Sequence, residues 1–396
     1  MVSGPAAHRG FLTLVTAAAF LTFAQAFMVA PILPQLAQSF DTTVGVVGLA
    51  VPAYLVPYGL MTLLWGPLSD RLGRRPIIVW SLVMFAGLTA ATAFSTTAGM
   101  FILLRVLTGA AASGVVPISL ALIGDVFPFA QRGRALGWLF GGMAGGIAVG
   151  STAGALAEPL IGWGGLFFVS AGGILLIGVL AMFLLPAPRP ARTAPPWASV
   201  VIGYGRLLTI ARGRRTYGYV LVNAILHSGI YTWLGLYLVH RFALGPIGVG
   251  LALLGYGVPG FVFGPLIGRL ADRYGRARII PAGVLIAAMC ALVLAVPVPF
   301  PVVVVAIAVL SLGYDMTQPL LGGIVTDLPG TTGQSVGLMA FVLFVGFGAG
   351  SLIFQALLVA GFSVALVVFG AAALLAAGIA LPLFRNERAR RDVSPV

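Results

Sequence analysis

The sequence predicts an all-α membrane protein with twelve transmembrane helices in two six-helix pseudo-repeats. Three observations carry this expectation. The 396 residues are 60% hydrophobic and only 8% charged, with mean hydropathy +1.09, outside the range of soluble domains. Twelve apolar runs follow one another between Pro, Gly and charge breaks. Each is close to the ~20 residues that a helix needs to cross a hydrocarbon core of ~30 Å. Finally, the chain repeats itself at an offset of 202: Gly66, Leu68, Asp70, Arg71, Gly73 and Arg74 match Gly268, Leu270, Asp272, Arg273, Gly275 and Arg276. The same offset pairs Tyr54 with Tyr256, Pro57 with Pro259, Pro117 with Pro319 and Asp125 with Asp327.

In chain order, the first six spans are expected near 11–37, 45–65, 77–95, 98–123, 135–157 and 163–185. The second six are expected near 216–240, 247–267, 278–297, 301–322, 333–359 and 361–384. They must be helices, because lipid offers unpaired backbone groups no partner, and they lack the alternating period of barrel strands. The first run is too long for an ordinary signal-peptide core and reads as an uncleaved first helix. The organisation is therefore 1–185 as one half, 186–215 as a linker and 216–396 as the other half. Pro186, Pro188, Pro190, Pro195 and Pro196 make the start of the linker extended. From Trp197 to Ile210 it reads either as an amphipathic helix on the inner leaflet or as a solvated tether.

A net charge of +13 raises the question of nucleic acid, but the arginines form no basic groove. They sit in the breaks between spans, and lysine is absent. With the N-terminus placed inside, 20 of the 22 arginines fall in inner segments, Arg241 is outer, and Arg105 lies within a span. The positive-inside rule then predicts an inner-membrane, multi-pass protein with both termini cytoplasmic. Cys290 is the only cysteine, which leaves no intramolecular disulfide and no Cys metal cluster. No phosphate loop, nucleophile elbow or metal-ligand spacing appears, so neither an enzyme nor a metal or other cofactor is expected.

Two six-helix halves in parallel repeat, joined by a long inner loop, resemble the major facilitator transporters. The most specific element is Gly-x-Leu-x-Asp-Arg-x-Gly-Arg at 66–74, echoed at 268–276. The twelve-helix drug:proton antiporter branch is the nearest resemblance. It implies that Asp70 faces the N-terminal end of helix 11 and Asp272 that of helix 5. Arginines of the motif (Arg71, Arg74, Arg273, Arg276) are then expected to pair with Asp125 and Asp327, Arg71 with Asp125 in particular. Gly66, Gly73 and Gly275 provide the tight turns, and the cluster latches the cytoplasmic side in the outward-facing state.

Gly142, Gly146, Gly150 and Gly154 recur every four residues on helix 5, and Gly260 and Gly264 share such a register on helix 8. The resemblance implies that these two faces pack together across the halves. Antiporters of the family carry Gly-Pro-x-x-Gly-Gly in helix 5; here Ser151 replaces the proline and Ala155 the last glycine.

Helix 4 holds Arg105-Val106-Leu107-Thr108-Gly109, similar to a second family motif. A charge there costs at least ~2.5–3.5 kcal/mol on insertion scales, which makes it a functional candidate. Asp315 is the one acid well inside a span, sharing a helix face with Ser311 and Gln318 beside Tyr314. Asn223, His227 and Tyr231 form a polar stripe on helix 7, and Gln25 holds the equivalent place to His227 on helix 1. Since helices 1, 4, 7 and 10 line the cavity in this family, Gln25, Met28, Ser113, Asn223, His227, Tyr231, Tyr314 and Gln318 are expected around it. Asp315, Arg105 and His227 are the expected proton-coupling residues. The function expected is proton-driven export of small amphipathic molecules by alternating access, by a monomer in the bilayer. Import of a sugar or organic anion, with Arg105 and His227 pairing a carboxylate, and a non-transporting sensor or scaffold are the alternatives.

Overall fold

The computed structural model describes residues 5–127, 129–186, 197–256, 258–328 and 332–387, and among these no β-strand occurs. The first span is α1 (Pro5–Phe27), a 3-10 turn (Ala30–Ile32) and α2 (Leu33–Ser39), interrupted where Pro31 and Pro34 remove backbone donors. α3 (Val44–Gly48) and α4 (Ala50–Leu72) make the second span, and α5 (Arg74–Thr92) the third. α6 (Ala98–Ala112) starts at Thr97, whose hydroxyl accepts from Met100 N–H, and the fourth span resumes as α7 (Val116–Val126) at Pro117. Spans five and six run together as α8 (Phe129–Leu184), which doubles back at Gly162, φ 69°. A linker helix, α9 (Trp197–Thr209), follows.

The second half comprises α10 (Ala211–Phe242), then α11 (Pro246–Leu253) and α12 (Val258–Tyr274) as a divided eighth span, and α13 (Arg276–Ala295). The tenth span is α14 (Phe300–Asp315) plus α15 (Gln318–Thr326), broken beside Pro319 as the fourth is beside Pro117. α16 (Thr332–Leu357) and α17 (Phe362–Leu383) complete it. Ten stretches are long and apolar enough to cross a membrane. One of them, Trp138–Leu184, is 47 residues with the Gly162 reversal inside it, which makes two passes. The divided eighth span is too short in each piece to qualify, so the ten stretches accommodate the twelve expected spans.

Both motif turns use positive φ: Gly73 (97°) precedes α5 and Gly275 (84°) precedes α13, a backbone region that a Cβ disfavours. Arg241 follows the same logic of termini. Its guanidinium donates to Leu294 O at 3.1 Å and Val296 O at 2.6 Å, closing the C-terminal end of α13. Arg241 is thus a helix cap.

The glycine ladder corrects an expectation. A Cβ on Gly142 would lie 2.6 Å from Thr16 O, on Gly150 2.5 Å from Ala24 Cα, and on Gly154 2.9 Å from Met28 O. Gly146 is equally tight against Phe20 O. The bare face of helix 5 is therefore turned onto helix 1 of its own half, not onto helix 8. Helices 5 and 8 do meet, but through Gly250 against Ala155 and Leu156, both 3.1 Å from its built Cβ. The side-chain environment of Gly260 and Gly264 lies outside the described residues. In the second half Gly346 and Gly350 of α16 press on Leu221, Ala224 and Ile225 of α10, the corresponding pair of spans.

The linker helix is docked rather than tethered. Val200 and Leu207 are buried, Leu207 in a small apolar cluster with Tyr217, Val325, Leu328 and Leu338 of the second half. The Tyr204 hydroxyl reaches over to Leu63 O at 3.4 Å in the first half. The extended stretch expected at 187–196 lies outside the described residues.

Candidate functional site

Interrupted spans set the site. Helix 1 breaks after Phe27, helices 4 and 10 at their repeat-related prolines, and helix 8 after Leu253. Breaks at mid-span leave backbone polar groups and side chains facing inward, as binding sites in this kind of bundle require.

In the first half, Arg105 is fully buried. Its Nη1 donates to Gln25 Oε1 at 3.0 Å, its Nη2 to Ala26 O and its Nε to Ala50 O, both at 3.4 Å. The guanidinium carbon lies 4.2 Å above the Tyr54 ring centre. Ala26 belongs to the last turn of α1, where carbonyls lose their intrahelical partners. Arg105 therefore closes the break in helix 1, and its charge is already engaged. Ser113 stands at the break in helix 4, its hydroxyl bonded to Ala110 O at 2.8 Å. Met28 is turned toward α8, where its sulfur accepts from Ser170 and its backbone meets Gly154, so it does not join the other cavity candidates.

In the second half the expected stripe is brought together. Asn223 Nδ2 donates to Thr317 Oγ1 at 2.8 Å, at the break in helix 10. The His227 ring stacks on Tyr314 at 4.2 Å and its Nε2 is hydrogen-bonded to the Tyr256 hydroxyl. Tyr231 lies 4.5 Å from Tyr256, ring centre to ring centre. Asp315 ends α14, and its carboxylate accepts from Ser311 at 3.2 Å. The lipid-facing side of that helix is Val302, Val305 and Val309, so Asp315 and Ser311 point away from lipid. Buried atoms with no hydrogen-bond partner among the described residues gather at this level: Gln25 Nε2, Asn223 Oδ1, His227 Nδ1, both amide atoms of Gln318, and the hydroxyl of Tyr314. Unspent donors and acceptors in a dry interior are costly unless something visits them.

Between the halves runs an aromatic seam: Tyr58 on Phe344 at 4.1 Å, Phe23 on Phe344 at 6.1 Å and Phe27 edge-on to Tyr231 at 5.3 Å. Beside it a narrow pocket of about 10 Å³, room for about one water, is lined by Ala26, Phe27, Val51, Leu55, Ser228 and Tyr231.

On the arginine-rich side the repeat produces matching ion pairs. Arg74 reaches Asp70 at 2.5 Å and Asp125 at 3.2 Å, and Arg276 reaches Asp327 at 3.4 Å. The partner of Asp125 is thus Arg74 and not the expected Arg71, because Arg74 opens α5 beside the C-terminal end of α7. Gly66 lies one turn before Asp70, its carbonyl accepting from Ser69. Arg273 is exposed over Tyr274, and the side chain of Asp272 lies outside the described residues. Sequence reasoning missed Glu387, which binds Arg212 twice at 2.7 Å and also Arg215. Burial pushes its carboxyl up, but hydrogen bonds and charge from Arg212, with Arg215 and Arg276, outweigh that and hold it below the usual range. Nothing but its position after the last span could have flagged it. Tyr54 and Tyr256 were visible as a repeat pair, and that pairing was the available signal for their roles.

The Major Facilitator Superfamily profile matches residues 15–351 and 222–395. The chain belongs to that superfamily, and it is a multi-pass membrane transporter and not an enzyme. It is 26% identical over 283 residues to the uncharacterized MFS-type transporter YwfA of Bacillus subtilis, covering 70% of this chain and 68% of that protein. It is 32% identical over 159 residues to multidrug transporter QDR2 of Candida glabrata, covering 40% of this chain and 27% of that one. A chloramphenicol resistance protein of Pseudomonas aeruginosa is 28% identical over 177 residues, 44% of this chain and 42% of that protein. Among solved structures, a bacterial homolog of the human lysosomal transporter Spinster superposes with TM-score 0.78 at 14% identity, covering 98% of this chain and 99% of the other. That likeness concerns the fold.

Proposed function

We propose that this transporter is a proton-coupled exporter of small amphipathic molecules, working by alternating access in the inner membrane with both termini in the cytoplasm. The observation that carries the reading is Asp315: a carboxylate well inside a span, turned from lipid, at a helix break, among unpartnered polar atoms. An ionised carboxylate there is expensive, so gaining and losing a proton is its natural chemistry. The aromatic seam suits ligands of mixed polarity, and the names of the two drug-related relatives support export. Each proton moving through 100 mV supplies ~2.3 kcal/mol. A latch of the cytoplasmic side between turnovers would rest on Asp70 and Asp272 facing the opposite half, since Arg74–Asp125 and Arg276–Asp327 each lie within one half. Import of an organic anion is disfavoured, because Arg105 spends its donors on Gln25 and the helix 1 break. Linker residues Arg206 and Arg214, both exposed, would meet anionic headgroups, and the working unit is a monomer.

The test uses the full chain in vesicles with an imposed pH gradient, with ethidium and chloramphenicol as probes. Asp315→Asn should abolish uphill accumulation while leaving downhill exchange largely intact. Uphill pumping by the mutant would overturn the assignment of the proton to Asp315.

A further inference from the structure

We infer that the arginine-rich corner shared by helices 7, 9 and 12 (α10, α13 and α17) binds the phosphate headgroup of an anionic phospholipid through Arg214, Arg278 and Arg385. The inference goes beyond the transport reading and depends on neither the substrate nor the proton. Three chain segments meet at this corner on Glu387. Arg212 and Arg215, at the start of α10, bind its carboxylate. At the start of α13, Ala277 N–H donates to its backbone carbonyl at 3.1 Å. Arg215 also donates to Leu383 O, the end of α17, at 2.9 Å. Arg276 and Arg212 share Asp327, at 3.4 and 3.8 Å. Three arginines thus answer two acids, and one positive charge is left over. Arg214, Arg278 and Arg385 each stand two residues from a member of this network, at Arg212, Arg276 and Glu387. All three are exposed, and none is in an ion pair among the described residues.

Each of the three also ends a lipid-facing stripe. On α10, Arg214 is in line with the exposed Gly218 and Val222, on the side turned from Asn223, His227 and Tyr231. On α13, Arg278 is in line with the exposed Leu285 and Met289, and beyond α17 Arg385 lies four residues past the exposed Leu381. Helix 12 stands between the other two. Its Phe384 meets Tyr219 of α10 edge-on at 5.1 Å, and a Cβ on its Gly370 would lie 2.8 Å from Leu292 of α13. Both lipid-facing grooves beside helix 12 therefore end between two arginines: Arg214 and Arg385 on one side, Arg385 and Arg278 on the other. Acyl chains lying in such grooves bring a phosphate to their ends, where planar guanidiniums bind it as forked donors. Membrane topology alone does not call for this cluster. At the offset of 202, Arg214 and Arg278 correspond to Leu12 and Pro76, and at the matching corner of the first half Arg75 donates to Met182 O, near the end of helix 6.

The experiment uses the full chain purified in detergent, with native mass spectrometry for bound lipid and the thermal unfolding midpoint as readouts. Phosphatidylglycerol is the probe, and phosphatidylcholine with the same chains and inorganic phosphate are the comparisons. Phosphatidylglycerol should bind about tenfold or more tighter than phosphatidylcholine and raise the midpoint, while inorganic phosphate at equal concentration should leave it unmoved. Each arginine near a charged lipid surface contributes about fivefold in affinity. Arg278→Gln should therefore weaken phosphatidylglycerol binding by about fivefold, and the triple Arg214→Gln, Arg278→Gln, Arg385→Gln by about a hundredfold. Arg273→Gln removes an exposed arginine outside the cluster and should change binding by less than about twofold. Where the triple variant lowers the lipid-free midpoint, Arg278→Gln against Arg273→Gln decides. Equal binding of the two lipids, or equal losses in Arg273→Gln and Arg278→Gln, would show only the diffuse field of an arginine-rich side and overturn the site. Protection by inorganic phosphate as strong as by the lipid would make it an ion site and overturn the lipid assignment. Each of these outcomes leaves the reading of Asp315 untouched.

Discussion

Arg105 shows how much a single side chain can change meaning between sequence and structure. Its position inside a span marked it as functional, and the cost of a charge in lipid made that reasonable. The folded chain gives it three acceptors from two neighbouring spans and the face of Tyr54. Such an arrangement needs a planar fork, which lysine lacks. Arg105→Lys keeps the charge within the same span, yet it should lower the thermal midpoint in detergent and slow transport by about tenfold or more. Transport near the native rate in Arg105→Lys would show that the charge alone matters. Asp315 is the contrasting case. It was legible at once, because a lone mid-span acid needs no tertiary information to be conspicuous.

At the scale of elements, the four-residue spacing on helix 5 was legible as a close-packing face, but its partner was not. Helix 1 carries Thr16, Phe20, Ala24 and Met28 at the matching spacing, and these are the residues the glycines touch. Nothing in their chemistry announces a partner, since closeness here comes from what is missing on the other helix. Gly150→Ala adds one methyl group where Ala24 Cα would lie 2.5 Å away and backbone cannot yield. We expect a loss of about 1–3 kcal/mol from overpacking, read as a lower unfolding midpoint in detergent. An unchanged midpoint would mean that helices 1 and 5 are looser than this contact requires. Ser151 belongs to the same element. Its hydroxyl bonds back to Ile147 O at 2.9 Å, and α8 continues through it where the antiporter motif has proline.

Across the whole molecule, the halves are joined on the arginine-rich side by chain segments that lie outside the repeat. The linker helix rests on the second half and touches the first through Tyr204, while Glu387 ties the start of α10 to the residues after α17. Glu387 has its carboxyl held low in the folded chain, so it adds stability that is present above the ordinary glutamate range and lost as pH falls through the folded value. Glu387→Gln should therefore unfold at a lower temperature than the native chain at neutral pH. The difference should shrink as pH drops below about 4, near the ordinary glutamate value. A gap that stays constant down to acid pH would mean the contacts matter only as neutral hydrogen bonds.

By itself, the sequence determined the fold class, the repeat, the spans and the motif turns. Each follows from local rules: apolar length sets the spans, glycine permits the positive φ before α5 and α13, and a fixed offset reveals duplication. The equivalent ion pairs Arg74–Asp125 and Arg276–Asp327 were half legible, since the acids were named and the arginines narrowed to a short motif. Tertiary structure alone decided which arginine pairs, which helix the glycines face, that Met28 packs against α8, and that Tyr54, Tyr256 and Glu387 partner the charged or titratable groups. Those outcomes depend on the rotation of each helix about its axis and on where it breaks. Both are set by packing against several neighbours at once, a property that no stretch of sequence holds on its own.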